Sequence, residues 1–318
     1  MNLVLLEPTD IVSPGHALVG GRRAEHIREV HQPELGGQLR VGMLGGLLGT
    51  ARVVGLGGVR LDPATMDPAS ASGDAATAEA IPPSPASAQG SATDLRHNEA
   101  SPSSPATLDD RPPLEPDLVE LAFTLDQAPP PPLAITLVLA LPRPRVLKRA
   151  LQSIAAQGVK RVVLVNSWRV DKSYWKSPAM APASLREQLL LGLEQARDTV
   201  LPDVTLEPLF KPFAEDRLPV IAEGTRALVA HPTATTPLAE VLARSSGDDH
   251  GRDCDGSRNG SDQAPEEPRR TTLCVGPEGG WIEYEVEKLT EAGCTPIALG
   301  PRVLRVEDAL TSLLAKLG

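Results

Sequence analysis

Apolar residues in the first 128 positions fall into short runs that glycine, proline and polar residues separate. Runs of this kind are typical of β-strands that follow one another after close turns. The pattern therefore predicts a small β-barrel or sheet, with one helical turn at His26–Val30. The predicted strands are Leu3–Leu6, Leu39–Met43, Thr50–Leu56 and Leu118–Leu125.

The pattern changes after a stiff run of prolines at residues 129–132. Ile135–Leu141 is apolar throughout, as expected of a strand that is buried on both faces. The helical pattern of Arg145–Gln157 follows it, and Gly158 ends that helix. Alternation of this type predicts an α/β domain, in which helices cover both faces of a mainly parallel sheet. The other predicted strands are Arg161–Val165, Ala227–Ala230, Thr271–Val275 and Pro296–Leu299, and the other helices are Leu185–Val200, Glu283–Ala292 and Val306–Leu317.

Two segments, residues 62–115 and 245–270, lack apolar periodicity and are polar and acidic. Such composition buries too little apolar surface to offset the entropy lost on ordering. We predict that both are disordered surface insertions, and that the first interrupts the N-terminal barrel. The chain of 318 residues then divides into two domains, at residues 1–128 and 129–318.

The formal net charge of −10 is unfavourable for binding phosphate groups. The excess of acidic residues lies in the two insertions. The first holds nine acidic and two basic residues, and the second holds seven acidic and four basic residues, so the remainder of the chain is neutral. The sequence has no apolar stretch of the about 20 residues that a membrane span needs, and no signal-peptide pattern at its start. Its three cysteines lack disulfide or metal-site spacing, so we expect no metal and a reducing, cytoplasmic location.

The strongest local motif follows the predicted strand Thr271–Val275, where a loop rich in glycine and proline leads into a helix. Its glycines permit close approach of the backbone to a ligand, and the start of the next helix offers free N–H donors. It is neither a Walker loop nor a dinucleotide fingerprint. A purely structural turn remains an equal alternative on these grounds. The loop consists of Val275, Gly276, Pro277, Glu278, Gly279 and Gly280.

A second loop between a strand and a helix spans Leu299–Glu307. Its arginines, Arg302 and Arg305, are suited to holding phosphate or stacking on a base. The alternative is that one of them pairs with Glu278 or Glu307 and only stabilises the loop.

These two loops resemble the ribosomal small-subunit methyltransferase E family of the SPOUT class. Val19–Ile27 is similar to the start of that family's N-terminal helix, Leu39–Gly42 to its next strand, and Glu194–Arg197 to its Glu-Gln-x-x-Arg helix. The resemblance implies a PUA-like β-barrel followed by a trefoil-knotted α/β domain, a rare exception to the rule against knots. It also implies a homodimer that uses S-adenosyl-L-methionine to methylate N3 of one uridine in the 16S rRNA of the 30S subunit.

The resemblance further implies roles for individual residues. The two loops, through Val275–Gly280 with Leu299, Gly300, Arg302 and Leu304, would bind the cofactor. Arg197 or Arg305 would stabilise the uracil anion, with Glu307 beside them. The residues implied in RNA binding are Arg22, Arg23, His26, Arg28, Arg40 and Arg169.

Several alternatives remain open from the sequence. Asp308 stands where the family usually has threonine, and the surroundings of Arg169 also differ from the family pattern. The basic residues of the barrel are alternatively scattered, solvated charges. The chain is alternatively a SPOUT methyltransferase with another RNA target, or an RNA-binding assembly factor without activity.

Two further residue types have both a functional and a structural interpretation. Trp168 and Trp175 lie in a polar stretch, where they would stack on bases or pack beneath a loop, and we favour packing. Cys274 and Cys294 are interpreted as small core residues.

Overall fold

The computed structural model describes residues 2–61, 113–247 and 270–318, with only the backbone of residues 244–247. Nearly all of both predicted insertions therefore lies outside the described residues. The described residues contain two β-sheets, one on either side of the prolines at residues 129–132.

The first sheet is formed by the N-terminal part of the chain. Its seven strands are β1 (Val4–Leu6), β2 (Ile11–Ser13), β3 (His16–Val19), β4 (Gln38–Met43), β5 (Leu48–Leu56), β6 (Val59–Arg60) and β7 (Val119–Gln127). Their order is β1-β4-β5-β7-β3-β2, with β6 beside β5. The four predicted strands are confirmed with small shifts at their ends. The described pairings form an open path from β1 to β2, so the predicted closed barrel is not confirmed.

One short helix belongs to this part of the chain. Helix α1 (Gly21–His26) continues as a π-helical turn, Ile27–His31, which ends at Gln32 in the left-handed conformation. The helical turn predicted at His26–Val30 is confirmed and is the end of a longer element. Ala24 and Ile27 are buried against the sheet and fix the helix to it.

Strand β1 joins the two parts of the chain because its side chains alternate between two cores. Val4 and Leu6 pack in the core of the first sheet, whereas Leu3 and Leu5 pack in the core of the second. This follows from the strand period, which directs successive side chains to opposite faces. The junction is extended by Thr199, whose hydroxyl donates to the carbonyl of Gly46 at 2.5 Å.

The second sheet has six strands, and all of its described pairings are parallel. The strands are β8 (Leu133–Ala140), β9 (Val159–Val165), β10 (Asp203–Glu207), β11 (Arg226–Ala230), β12 (Thr271–Val275) and β13 (Thr295–Ile297). Their order is β10-β9-β8-β12-β11-β13. This sheet confirms the predicted α/β class with its parallel strands.

Helices cover both faces of this sheet. They are α2 (Pro144–Ala156), α3 (Pro182–Ala196), α4 (Phe210–Pro212), α5 (Leu218–Ala222), α6 (Leu238–Gly247), α7 (Glu283–Glu291) and α8 (Val306–Leu317). Helices α2, α3 and α8 bury their apolar side chains on one face, and α5 and α7 on the other. Helices α2 and α3 approach closely at Gly192, where a Cβ would lie 2.3 Å from the carbonyl oxygen of Gln152.

Some predicted bounds were wrong. The helix predicted at Leu185–Val200 spans Pro182–Ala196, because Arg197 adopts a left-handed conformation with φ of 57°. Strand β10 and helix α6 were not predicted, and α6 extends into the first residues of the second predicted insertion. The part of the chain that the structure describes has no helix long and apolar enough to cross a membrane.

Candidate functional site

Strands β11, β12 and β13 end side by side at the carboxyl edge of the second sheet, the edge at which parallel α/β sheets bind ligands. A cavity of 160 Å³ lies at this edge. All ten residues that the sequence assigns to the cofactor line it, namely Val275–Gly280, Leu299, Gly300, Arg302 and Leu304. The fold therefore brings together two loops that are separated by 18 residues in sequence.

The loop after β12 requires glycine at two positions for different reasons. Gly280 has φ of +71°, and its N–H donates to the carbonyl of Pro277 at 2.7 Å, which closes a tight turn. A Cβ on Gly276 would lie 3.2 Å from both the backbone and the indole ring of Trp281. The buried Trp281 thus lies directly beneath the loop, and the motif has a packing cause as well as a functional interpretation.

Glu278 is held by the main chain of a neighbouring loop. Its Oε1 accepts a hydrogen bond from the backbone N–H of Arg143, the N-cap residue of α2, at 2.9 Å. A carboxylate at a helix N-terminus is favourable because of the helix dipole. The contact connects the loop after β12 to the loop after β8, which is the adjacent strand of the sheet.

Arg169 contacts the same loop from the other side. Its guanidinium donates to the carbonyl oxygen of Gly279, and its aliphatic part lies against that residue. A Cβ on Gly279 would be 2.9 Å from Cδ of Arg169. Arg169, which the sequence assigned to RNA, therefore lies in contact with the loop assigned to the cofactor.

A larger cavity of 990 Å³ adjoins the first one and shares with it His231, Pro232, Gly279 and Gly280. His231 follows β11, and its Nδ1 lies 2.9 Å from the hydroxyl of Thr233. When Nδ1 carries the proton and donates it to Thr233, Nε2 keeps a lone pair. His231 was not predicted from the sequence, although a polar residue directly after an apolar strand is a usable signal.

Glu285 is a second residue that the sequence analysis missed. Its buried carboxylate accepts hydrogen bonds from Trp168 N at 2.7 Å, from Ile282 N at 3.0 Å and from the Ser167 hydroxyl at 3.2 Å. It therefore holds the segment after β9 to the start of α7. The signal in the sequence is a glutamate three residues after a helix N-cap, which is the capping-box position.

The two catalytic candidates near the second loop lie at the start of α8. Arg305 is the N-cap residue of this helix and is exposed, while Glu307 is half-buried in its first turn. Neither lines the 160 Å³ cavity, although their neighbour Val306 does. Arg302 lines the cavity and is exposed to solvent.

The third catalytic candidate, Arg197, lies at the opposite edge of the sheet. The next residue, Asp198, forms a 2.6 Å ion pair with Lys160, which is at the amino end of β9. The carboxyl ends of the strands, and both cavities, are at the other edge. The structure does not bring Arg197 to the cavities because α3 runs back along the sheet before it ends.

Arg22 and Arg23, which the sequence assigned to RNA, form ion pairs within the chain. Arg22 donates to both oxygens of Glu194, at 2.8 and 3.0 Å, and the Glu194 side chain is only 1 % exposed. Burial raises the pKa of Glu194, and the hydrogen bond from Arg22 opposes that rise. Arg23 donates to Asp10 at 2.6 Å and to the carbonyl of Leu5.

The other residues assigned to RNA are distributed over the first sheet and α1. His26 packs edge-on against His31 with ring centroids 5.2 Å apart. Arg28 donates to the carbonyl of Pro116 at 2.8 Å. Arg40 is exposed on β4. Arg169, the sixth candidate, lies beside the cavities.

The two tryptophans have different environments. Trp175 is half-buried, and its Nε1 donates to Asn166 Oδ1 at 3.0 Å. Trp168 is 80 % exposed, so the preferred interpretation of packing is correct for Trp175 and wrong for Trp168.

The two described cysteines lie in the core, as predicted. Cys274 and Cys294 are buried with their Sγ atoms 3.9 Å apart. The hydrogen bond with Cys294 and burial raise the pKa of the Cys274 thiol well above its usual value. Within the described residues, no group of His, Cys, Asp and Glu side chains is arranged to hold a metal ion.

Comparison with known proteins places this site in a family. A family model for RNA methyltransferase domains matches residues 129–318. Two curated relatives carry the name ribosomal RNA small subunit methyltransferase E. The relative from Treponema pallidum is 25 % identical over 173 residues, which are 54 % of this chain and 57 % of the relative. The relative from Mycobacterium bovis is 26 % identical over 199 residues, which are 60 % of this chain and 64 % of the relative. The match to this chain thus spans less than two thirds of the length of each of these two relatives.

A solved structure has the same fold. It is the ribosomal RNA small subunit methyltransferase E from Neisseria gonorrhoeae bound to S-adenosyl methionine. The TM-score is 0.59 at 17 % sequence identity, and the match covers 100 % of this chain and 96 % of the other.

Proposed function

This chain belongs to the RNA methyltransferase domain family, and from that premise we propose that it transfers a methyl group from S-adenosyl-L-methionine to ribosomal RNA of the small subunit. The observation that carries the proposal is the cavity at the carboxyl edge of the second sheet. Two loops predicted from the sequence to bind the cofactor line this one cavity. The names of the curated relatives support the choice of small-subunit rRNA as substrate.

The residues of the cavity fit a cofactor with an adenosine group. Leu299, Val303 and Leu304 form an apolar wall, and Arg302 adds a charge at the rim. A Cβ on Gly300 would meet no atom within 4 Å, so open space adjoins the backbone there. The volume of 160 Å³ is below the about 300–1,000 Å³ of typical ligand pockets, and the adjoining 990 Å³ cavity provides the remaining space.

The bound cofactor supplies an electrophilic methyl group, and this chain supplies alignment and charge. Removal of the proton from N3 of uracil leaves an anion, which an arginine stabilises but cannot create, because arginine stays protonated. Arg169 and Arg302 line the cavities and are the proposed stabilising groups. Arg305 and Glu307 flank Val306, which lines the smaller cavity. His231 lines both cavities, and its Nε2 is the proposed acceptor of the N3 proton.

The site assignments made from sequence carry over in part. We propose the ten cavity-lining residues as the cofactor site, and Arg40 and Arg169 as RNA contacts. Arg22 and Arg23 are proposed to act in folding, because their guanidiniums are engaged in ion pairs. Arg197 is not retained as a catalytic residue, because it lies at the opposite edge of the sheet.

The finer features implied by the family resemblance are part of the same proposal. They are a uridine N3 target in 16S rRNA, a PUA-like role for the first sheet, a trefoil knot around the cavity, a homodimer, and a cytoplasmic location with the 30S subunit as partner. One alternative is a methyltransferase with another RNA target, and primer-extension mapping of rRNA from a deletion strain distinguishes it from the proposed function. The other alternative is an assembly factor without activity.

Calorimetric titration of the full chain with S-adenosylmethionine tests the proposal. We expect saturable binding at one site per chain, and weaker binding by an Arg302→Ala variant. An Arg197→Ala variant is the matched control, and its affinity should equal that of the unaltered protein. No binding to the folded protein would contradict methyl transfer and favour the inactive assembly factor.

A further inference from the structure

A third cavity lies at the same edge of the second sheet, and half of its lining residues are aromatic or basic. It has a volume of 550 Å³ and lies beyond the ends of β9 and β10. We call it the aromatic cleft, and define it by Trp168, Phe210, Tyr284, Lys172 and Lys211.

Trp168 is exposed although its backbone is fixed. The indole is 80 % exposed, and Tyr284 beside it is 43 % exposed. The N–H of Trp168 is bound to Glu285 at 2.7 Å, and the adjacent Ser167 hydroxyl also donates to Glu285. An anchored tryptophan that leaves most of its apolar surface in water is characteristic of a binding surface.

The charges in the cleft favour an anionic ligand. Among its lining residues Lys172 is exposed, and Lys211 forms a long 4.0 Å contact with Glu215. The one acidic lining residue is Glu285, whose carboxylate is buried and accepts three hydrogen bonds. The accessible charge in the lining is therefore positive.

The cleft adjoins the 990 Å³ cavity of the proposed active site. Ile282 lines both the aromatic cleft and the 990 Å³ cavity, and Arg169, the residue after Trp168, lines the latter. A strand of RNA whose target base enters the cavities must pass its neighbouring nucleotides over this edge. The base is unpaired on entry, because a base held in a duplex is not accessible to the pocket.

We propose that the aromatic cleft binds the unpaired nucleotide next to the methylated one, with its base stacked on Trp168 and its phosphate held by Lys172 and Lys211. The inference rests on the proposed function, since it deepens how the same site selects RNA. Stacking on aromatic rings beside a basic groove is the general means of binding single-stranded nucleic acid. The aromatic rings of the cleft match a base and the two lysines match its phosphate, so the lining suits a nucleotide.

The test measures binding of a fluorescein-labelled oligouridylate of about ten nucleotides, within the site size of single-strand binding folds, to the full chain. Fluorescence anisotropy should show about a tenfold loss of affinity for Trp168→Ala. Trp168→Phe should keep most of the affinity, because a ring remains. Trp175→Phe, the matched control on the half-buried tryptophan, should bind as the unaltered protein does.

Two results would overturn the proposal. One is equal affinity of Trp168→Ala and the unaltered protein for the oligouridylate. The other is a change of the Trp168→Ala protein from dimer to monomer in sedimentation, which would make this face a contact between two copies. Calorimetry with S-adenosylmethionine separates this proposal from the previous one. If the chain binds no cofactor yet its RNA affinity depends on Trp168, the methyltransferase function fails and the cleft stands.

Discussion

The guanidinium of Arg22 on helix α1 donates two hydrogen bonds to the buried carboxylate of Glu194 on helix α3, at 2.8 and 3.0 Å. The pair crosses the junction between the two sheets, close to the point where Asn2 N–H donates to the carbonyl of Glu194. Both residues belong to segments that resemble the methyltransferase E family. The pair therefore fixes the relative position of the two parts of the chain.

Loss of Arg22 should destabilise the protein in a pH-dependent way. Arg22→Met leaves an ionised carboxylate buried without its partner, at a cost of about 2 kcal/mol near neutral pH, reduced from the usual value because Arg22 is partly exposed. Burial already raises the pKa of Glu194, and Arg22 opposes the rise, so the variant's pKa is higher still. A carboxyl group whose pKa is raised by folding costs no stability below its unfolded pKa, because it is protonated in both states. The cost develops as the pH rises through the folded pKa.

The deficit of Arg22→Met should therefore be largest at neutral pH and shrink as the solution becomes acidic. Urea unfolding of both proteins at neutral and mildly acidic pH measures it. Arg40→Met, at an exposed arginine of the same part of the chain, is the control and should lose little stability at either pH. An equal deficit at both pH values would show that the charge of Glu194 is not the cause.

Substitution of Gly279 should remove cofactor binding without unfolding the protein. A Cβ at this position would lie 2.9 Å from Cδ of Arg169, and the rest of a valine side chain must displace Arg169 or occupy the cavity. We expect Gly279→Val to bind S-adenosylmethionine at least about tenfold more weakly, which corresponds to 1.4 kcal/mol. Calorimetry measures the affinity, and thermal unfolding checks that the fold is intact. Ala239→Val on the exposed surface of α6 is the control. Unchanged affinity of a folded Gly279→Val protein would place the cofactor elsewhere.

His231 should affect catalysis more than binding. Removal of a general base typically lowers a rate by about 10²–10⁴-fold. His231→Gln retains a polar side chain of similar size, so we expect kcat to fall within this range while the affinity for S-adenosylmethionine stays similar. Thr233→Val, which removes the hydroxyl 2.9 Å from Nδ1, should give a smaller loss through misorientation of the ring. Full kcat in the His231→Gln protein would exclude His231 as the acceptor of the proton.

The buried thiols should be unreactive in the native state. The thiolate is the reactive form of cysteine, and the pKa of Cys274 is raised by its hydrogen bond with Cys294 and by burial. In a Cys254→Ser protein, Ellman's reagent should therefore modify neither remaining cysteine until guanidinium chloride unfolds the chain. Rapid reaction of the folded protein would show that the region around β12 opens in solution.

The sequence predicted the strands and helices that are well buried and have a clear spacing of apolar residues. Strand β12 and helix α8 have the predicted bounds, because every residue of β12 is buried and α8 has a regular apolar face. Strands β2 and β3 are short and only partly buried, so they lack a distinct pattern. Helix α6 ends at Gly247, inside the polar segment predicted at residues 245–270, and the polar composition of that segment hid it.

Residue roles were less predictable than elements. The ten cofactor candidates lie together because they stand at or after the carboxyl ends of β12 and β13, two strands of one parallel sheet. The partner of an arginine, in contrast, depends on tertiary contacts, and Arg22 and Arg23 are bound to carboxylates distant in sequence. His231 was missed because β11 lies between β12 and β13, an order that the sequence does not reveal.

The central claim is tested most directly by transfer of a tritiated methyl group from S-adenosylmethionine to 30S particles purified from a strain that lacks the gene for this chain. Naked 16S rRNA and a short stem-loop with the target uridine serve as comparison substrates, and we expect both to react more slowly than the particle. Digestion of the product and separation of its nucleosides identifies the modified base. We expect label in N3-methyluridine alone. The absence of label in the rRNA, or label in a different nucleoside, would contradict the central claim.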